Sequence, residues 1–195
     1  TSSGAIDLDG RINAQSSGYP GTIVVRAASD VLLKGYIHMP GTSSGADGGR
    51  LIVSSGKGSV DLSGSIDVSG GNDTSGGEIL ISAAQDIQIR GEIDAGGGDF
   101  SGGMVALSAT GDVVVSAGID VSSRAGSGDG GEIAIIAGGE ARLGGGEDAA
   151  LLQAKGSTDA DDFAGDGGEL SMQAEAITVE ADATFRAYGG APDGY

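Results

Sequence analysis

Three aspartates recur at nearly constant intervals and are the first residues whose type and spacing could carry chemistry: Asp67, Asp94 and Asp120. If successive repeats stack about 4.8 Å apart, their carboxylates form one outward column. Neighbouring carboxylates at about 5 Å repel by only about 1 kcal/mol in water, so counter-ions can make such a column tolerable. The spacing therefore predicts either a solvated acidic face or a ladder that binds cations.

A second acidic set lies in glycine-rich segments, each member shortly ahead of a glycine: Asp47, Asp73, Asp99, Asp129, Asp166 and Asp193. Flexible, oxygen-rich loops suit Ca²⁺, which takes about 6 to 8 oxygen ligands in irregular geometry. Ca²⁺ is the one cofactor that the sequence suggests, with the candidate ligands Asp159, Asp161, Asp162 and Asp166. The alternative is a structural role, because aspartate and glycine are also common in turns. The tandem nonapeptide pattern of known calcium-binding β-helices does not recur in this sequence.

The elements that would position these acids are visible as a repeat of about 28 residues. Apolar residues two apart return once per repeat, and this spacing predicts strands rather than helices. The first strand carries Ile23/Val25, Leu51/Val53, Ile79/Ile81, Val105/Leu107, Ile133/Ile135 and Leu170/Met172. The second carries Ile6/Leu8, Val31/Leu33, Val60/Leu62, Ile87/Ile89, Val113/Val115, Ala141/Leu143 and Ile177/Val179. The third begins at Ile12, Ile37, Ile66, Ile93, Ile119, Leu152 and Phe185.

A small residue stands between the second and third strands, where a bend needs room for the backbone: Gly10, Gly35, Gly64, Gly91 and Ala117. Strands this short bury an apolar face only when repeats stack on one another. We therefore predict an all-β fold, a right-handed parallel β-helix of six to seven coils. Each coil has three short strands, with the glycine-rich loops on one side. A sandwich of β-hairpins is the main alternative fold, but such a fold does not require the same residue pattern to recur in the same order at a nearly constant period.

One irregularity interrupts the repeat, an insertion at residues 144–150 followed by a long loop at 155–168. Insertions on one face of a solenoid often form its binding face. The segment around Glu147, Asp148 and residues 159–166 is therefore a candidate partner or ion contact. A tolerated surface insertion is the alternative.

Composition limits the function further. The formal net charge of −18 argues against nucleic-acid binding. No apolar run reaches the roughly 18 residues of a membrane span. The chain has no cysteine and hence no disulfide or thiolate metal site.

Enzymes also occur on parallel β-helices, so catalysis has to be weighed. Glycoside hydrolysis needs paired carboxylates in a groove, and lyase chemistry needs a base beside bound cations. Carboxylates are plentiful here, but the ten basic residues are scattered and the single histidine, His38, has no evident partner. We expect no catalytic activity, with a carbohydrate-active β-helix enzyme as a minor alternative.

The repeat pattern is clearest in residues 76–95, which include Ile79, Asp86, Ile93 and Asp94. It resembles the β-helical repeats of large bacterial exoproteins, the filamentous-haemagglutinin-like adhesins of the two-partner secretion type. The resemblance covers nearly the whole chain, from Gly4 to about Gly190. It implies an extracellular or cell-surface setting, as a stalk, adhesin or filament.

Residues 1–195 are expected to form a single solenoid domain that starts and stops in mid-coil. We expect it to be a segment of a longer rod or a filament subunit. Its expected partners are adjacent repeats or other copies at the solenoid ends, and glycans or proteins of a host or cell surface. Two functions stay open, an adhesin or stalk shaft and a filament subunit that assembles end to end.

Overall fold

The computed structural model describes residues 3–18, 21–146, 149–158 and 164–190. Within these ranges the chain forms twenty short strands that stack into three parallel sheets. The first sheet contains β3 (Thr22–Ala27), β6 (Arg50–Ser55), β9 (Glu78–Ala83), β12 (Met104–Ala109), β15 (Glu132–Ala137) and β18 (Glu169–Gln173). The second contains β1 (Ile6–Leu8), β4 (Val31–Leu33), β7 (Val60–Leu62), β10 (Ile87–Ile89), β13 (Val113–Val115), β16 (Glu140–Leu143) and β19 (Ala176–Val179). The third contains β2 (Arg11–Asn13), β5 (Tyr36–His38), β8 (Ser65–Asp67), β11 (Ile93–Asp94), β14 (Ile119–Asp120), β17 (Leu151–Gln153) and β20 (Thr184–Arg186).

The predicted β-solenoid is confirmed. Each strand pairs in parallel with the equivalent strand of the next coil, so that Ile79 lies beside Leu51 and Val105, and Ile87 beside Val60 and Val113. Alternate residues point inward and join one continuous apolar core. Ile79 and Ile87 are fully buried, and Ile93 is 1% exposed. Burying a side chain of this size contributes about 1.5 to 3 kcal/mol, which offsets the entropy of ordering a glycine-rich chain.

The regular, buried part is shorter than the six to seven predicted coils. Within the described residues five coils, β3 to β17, have three strands each and form the buried core, giving about five turns. Strands β1 and β2 make a partial coil. The coil β18 to β20 is exposed, with Ile177 and Val179 each 49% accessible although both occupy inward positions. An apolar inward position is buried only when coils lie on both sides of it.

Two glycine positions make the close stacking possible. In the corner between the second and third sheets, a Cβ on Gly91 would lie 1.6 Å from the carbonyl oxygen of Gly64. Where each loop ends, a Cβ on Gly77 would lie 2.2 Å from the carbonyl oxygen of Gly49. The N–H of Gly77 also donates to the carbonyl of Val68 at 2.8 Å, which closes the loop at its neck. The recurring glycines are therefore required by contact with the neighbouring coil.

The described part of the chain contains no helix that is long and apolar enough to cross a membrane.

Candidate functional site

The acidic column lies at the end of the third-sheet strands. The strand register places Asp67 beside Asp94, and Asp94 beside Asp120. The same column continues to His38 on one side and Gln153 on the other. Stacking alone brings these groups together, because each is separated from the next by nearly a whole repeat in the sequence.

Each aspartate of the column accepts a hydrogen bond from the backbone two residues later. Asp67 Oδ1 accepts from the Ser69 N–H at 3.0 Å, and Asp94 Oδ1 from the Gly96 N–H at 3.0 Å. Asp120 Oδ1 accepts from the Ser122 N–H at 2.9 Å. These are Asx turns. They give the backbone N–H of the second residue after each aspartate an acceptor where the chain passes from the strand into the loop.

Cationic and hydroxyl side chains occupy the outer side of the same column. Arg124 forms an ion pair with Asp94 and reaches Asp120 Oδ2 at 3.8 Å. His38 Nδ1 lies 2.9 Å from Asp67 Oδ2, and the Tyr36 hydroxyl lies 2.9 Å from the same nitrogen. The expectation that His38 has no partner was wrong, because Asp67 becomes its neighbour only when the coils stack.

Partial burial gives this column unusual electrostatics. Burial raises the pKa of Asp94, against the opposing effects of the Gly96 N–H and of Arg124. Burial likewise raises the pKa of the Tyr36 phenol, which also faces the Asp67 carboxylate. Among residues 3–18, 21–146, 149–158 and 164–190, no three His, Cys, Asp or Glu side chains are grouped to hold a metal ion. The geometry favours a structural role for the column, with its charges compensated by protein groups.

The loop aspartates do not form one set. Asp47, Asp129 and Asp166 stand directly before a Gly-Gly pair and bridge coils: Asp47 Oδ1 accepts from the Ser75 N–H at 3.0 Å, and Asp129 Oδ1 from the Asp166 N–H at 2.7 Å. Asp73 and Asp99 lie farther out on the loops. Asp73 has a left-handed φ of 54°, and its hydrogen bond with Asp99 raises the pKa of the Asp99 carboxyl. The described loop acids therefore occupy two positions with different contacts.

One of the four predicted calcium ligands, Asp166, belongs to the described residues. Asp159, Asp161 and Asp162 lie outside the described residues, as do Glu147, Asp148 and Asp193. Asp166 is described, and its backbone N–H is the donor to Asp129. The Ca²⁺ assignment remains a sequence-based prediction.

The insertion begins beside a groove on the outer side of the second sheet. Gly144 and Gly145 adopt left-handed φ values of 90° and 75°, and the Gly145 N–H donates to Asp182 Oδ1 at 3.1 Å. The groove has a volume of about 1020 Å³ and is lined by residues that include Arg90, Val114, Arg142 and Glu180. Arg142 is bound to Glu140 at 3.2 Å within it. The groove is open and its lining carries side chains of both charges.

Sequence reasoning missed a ladder of polar residues that lies just ahead of the second strand. Asp86 Oδ1 accepts from the Asp112 N–H at 2.9 Å, and Asp112 Oδ1 accepts from the Glu140 N–H at 2.7 Å. Asp30 Oδ1 accepts from the Ser59 N–H at 2.9 Å in the same way. The signal was present in the sequence, because a polar residue precedes the first apolar residue of the second strand in each of these coils.

Ion pairs between coils form a further set of contacts that sequence reasoning did not find. Lys34 Nζ lies 2.7 Å from Asp7 Oδ2, Arg50 Nε lies 2.7 Å from Glu78 Oε2, and Arg90 pairs with Asp61. Each pair joins adjacent coils. Exposed pairs of this kind contribute about 0 to 1 kcal/mol each, so they add little to the stability of the stack.

Comparison of the chain with protein-family models, with curated proteins and with solved structures finds no match.

Proposed function

We propose that this chain is a non-catalytic structural segment of a secreted or cell-surface bacterial protein, where it serves as the shaft of an adhesin or stalk. The observation that carries the proposal is the unbroken register of the three sheets. In such a stack each coil contacts only its neighbours and adds about 4.8 Å of length. Repetition of equivalent coils lengthens the rod and does not create a single reactive centre.

The contacts of the polar side chains support a structural role. The groups best suited to acid–base chemistry are used to hold one coil to the next or to turn the chain, as Asp112, Asp94 and His38 illustrate. The resemblance of the repeat script to bacterial exoproteins supports the extracellular setting. The net charge of −18 favours solubility of a long rod with a glycine-rich surface.

A filament subunit is the second candidate, and one observation favours it. The outermost coil leaves inward positions uncovered: Val179 is 49% exposed and Phe185 38%, whereas the equivalent Leu143 and Leu152 of the preceding coil are 0% and 1% exposed. A further coil laid on this end would cover them, whether it belongs to the same chain or to another copy. In electron micrographs, the shaft function predicts separate short rods of the purified chain, and the filament function predicts continuous threads.

The shaft proposal is tested by removing one whole coil. Deletion of residues 78–103 removes β9 to β11 and joins Gly77 to Met104, which occupies the same register position as Glu78. Because neighbouring coils are equivalent, the shortened protein should fold with a β-sheet circular dichroism spectrum and a Tm within about 5 °C of the intact chain. In the source cells, an antibody against the chain should label intact cells for both versions.

The matched control removes half a coil. Deletion of residues 78–90 brings a corner against a loop and breaks the register of all following coils, so this version should not fold. The shaft proposal is wrong if antibody labels the cells only after permeabilisation. It is also wrong if the one-coil deletion folds and is exported but adhesion is abolished, since a shaft loses only length.

A further inference from the structure

The outer face of the first sheet carries a line of partly exposed apolar side chains. This sheet has the longest strands, and three columns of residues point outward from it. The middle column is Val24, Ile52, Leu80, Ala106, Ala134 and Ser171. Val24 is 44% exposed, and Ile136 in the adjacent column is 48% exposed. Single exposed apolar residues are ordinary, but an aligned row of them on one face marks a contact surface.

This face is graded from one end to the other in both size and charge. The middle column has large side chains in the first three coils and small ones in the last three. In the column beside it, Arg50 and Glu78 lie in the first three coils and form an ion pair, so their charges cancel. Glu132 and Glu169 lie in the last three coils without a cation in that column. Arg26 is a second cation in the first of these coils.

We propose that a second copy of this chain packs face to face on the first sheet, related by a two-fold axis parallel to the strands between β9 and β12. This operation reverses the order of the coils. It places Ile52 opposite Ala134 of the second copy and Leu80 opposite Ala106, so each large side chain meets a small one. It also places Arg50, already paired with Glu78 of its own chain, opposite Glu132 of the second copy, so that one guanidinium bridges two carboxylates. Glu78 then lies opposite Met104 but keeps Arg50 as its partner. Both gradients become self-complementary, as an isologous dimer requires.

The other two-fold packing, with the axis along the solenoid, fits poorly. It sets Leu80 against Leu80 and Ala134 against Ala134. Large side chains then hold the two sheets apart at one end, and a gap is left between the small side chains at the other end. It also lays the Glu132 carboxylate over the exposed Ile136 side chain. A charge buried against an apolar group without a partner is costly. The antiparallel arrangement is therefore the one that the face supports.

The area of the face agrees with a weak, specific dimer. Six strands about 4.8 Å apart and about six residues long span roughly 500 Å² on each copy, or about 1,000 Å² in total. Stable interfaces bury about 1,200 Å² or more in total, and specific but weak ones lie just below that size. The contact uses a side of the solenoid and not its ends, so the proposal does not depend on the shaft function.

Sedimentation of the full chain over about 1 μM to 1 mM at low salt tests the proposal. We expect a monomer–dimer equilibrium. Arg50→Glu and Glu132→Arg should each weaken the dimer at least about tenfold, because each variant creates two like-charged pairs across the two-fold axis. An equimolar mixture of these two variants should restore dimerisation, since the glutamate introduced in one chain then faces the arginine introduced in the other.

The matched control is Arg26→Glu, which makes the same charge change on the same face but opposite the neutral Gln173. It should alter the dimer constant less than about threefold. All three variants should keep the circular dichroism spectrum of the intact chain, because the altered side chains point away from the core. Arg50→Glu also removes the exposed ion pair with Glu78, which costs only about 1 kcal/mol and should not unfold the chain. The proposal is overturned if the intact chain stays monomeric or forms larger assemblies, if the single variants have no effect, or if the mixture does not restore the dimer.

Discussion

The corner between the second and third sheets and the loop between the third and first sheets follow different rules. In the corner, Gly35, Gly64 and Gly91 stack so closely that any side chain would overlap the backbone of the neighbouring coil. The loops differ in length from residues 95–103 to residues 154–168 without disturbing the strands that follow. Residue type is restricted in the loops as well wherever backbones touch, because a Cβ on Gly102 would lie 1.6 Å from the carbonyl oxygen of Val121. The comparison therefore teaches that the loops differ from the corner in their freedom of length and not in their tolerance of side chains at stacked glycines.

The corner itself contains an exception that sharpens this rule. One coil after Gly91 the equivalent position is Ala117, and one coil later the insertion at residues 144–150 begins. The next residue, Gly118, is equivalent to Glu92, and a Cβ on it would meet its nearest atom, the Leu151 carbonyl oxygen, at an ordinary 3.8 Å. The restriction therefore belongs to the stacked glycines and not to the corner as such.

The largest effect is expected for Gly91→Ala. The new methyl group would lie 1.6 Å from the Gly64 carbonyl oxygen, so two coils must separate locally. We expect a loss of about 3 kcal/mol or more, which corresponds to a Tm lower by roughly 10 °C in calorimetry. The control is Gly118→Ala, which should change the Tm by less than about 2 °C. Equal effects of the two substitutions would refute the steric account of the corner.

An intermediate effect is expected for Asp112→Ala, in the turn between the first and second sheets. The variant leaves the Glu140 N–H without its acceptor, at a cost of about 1 kcal/mol in urea unfolding. Asp112→Asn keeps an oxygen at that place and should lose less than half as much. If both variants unfold alike, the polar ladder does not hold neighbouring coils together.

The smallest effect is expected from the pH dependence of the acidic column. Burial raises the pKa of Asp94 above its ordinary value of 3.8, so the folded state binds this proton more tightly than the unfolded state. The stability contribution is complete below that ordinary value and is lost as the pH rises through the raised one. The Tm of Asp94→Asn relative to the intact chain should therefore increase between about pH 3 and pH 6.

Glu140 gives the matched control with the opposite sign. Its hydrogen bond from Thr178, together with Arg142, lowers the pKa of Glu140 below 4.5. Its contribution is present above that value and is lost as the pH falls through the lowered one. The relative Tm of Glu140→Gln should therefore decrease over the same rise in pH. A parallel slope for both variants would show that net charge, and not local burial, governs the acid response.

The inward columns could be predicted from the sequence because apolar spacing and the repeat period specify them together. Ile79, Ile87 and Ile93 each occupy the expected register. The partners of polar groups could not be predicted in the same way. His38 meets Asp67, and Arg124 meets Asp94, only across the gap between coils, and the choice between neighbours depends on side-chain rotamers.

The outer apolar row was missed for a related reason. Ile52 and Leu80 are separated by polar and inward residues, so a search for buried strands passes over them. Their significance depends on alignment with Val24 and Ala106 in adjacent coils. The outer row can therefore be recognised only when the strand register of every coil is known.

The closed neck of each loop has a consequence for what the protein can carry. The N–H of Gly77 donates to Val68, that of Gly103 to Ala95 and that of Gly131 to Val121, at 2.7 to 2.8 Å. The two ends of every such loop are therefore fixed to each other before the next strand begins. A foreign segment, an epitope or a small folded domain inserted into the loop would therefore be joined to the solenoid at two fixed ends. The coils would then display inserted segments at regular intervals along the rod.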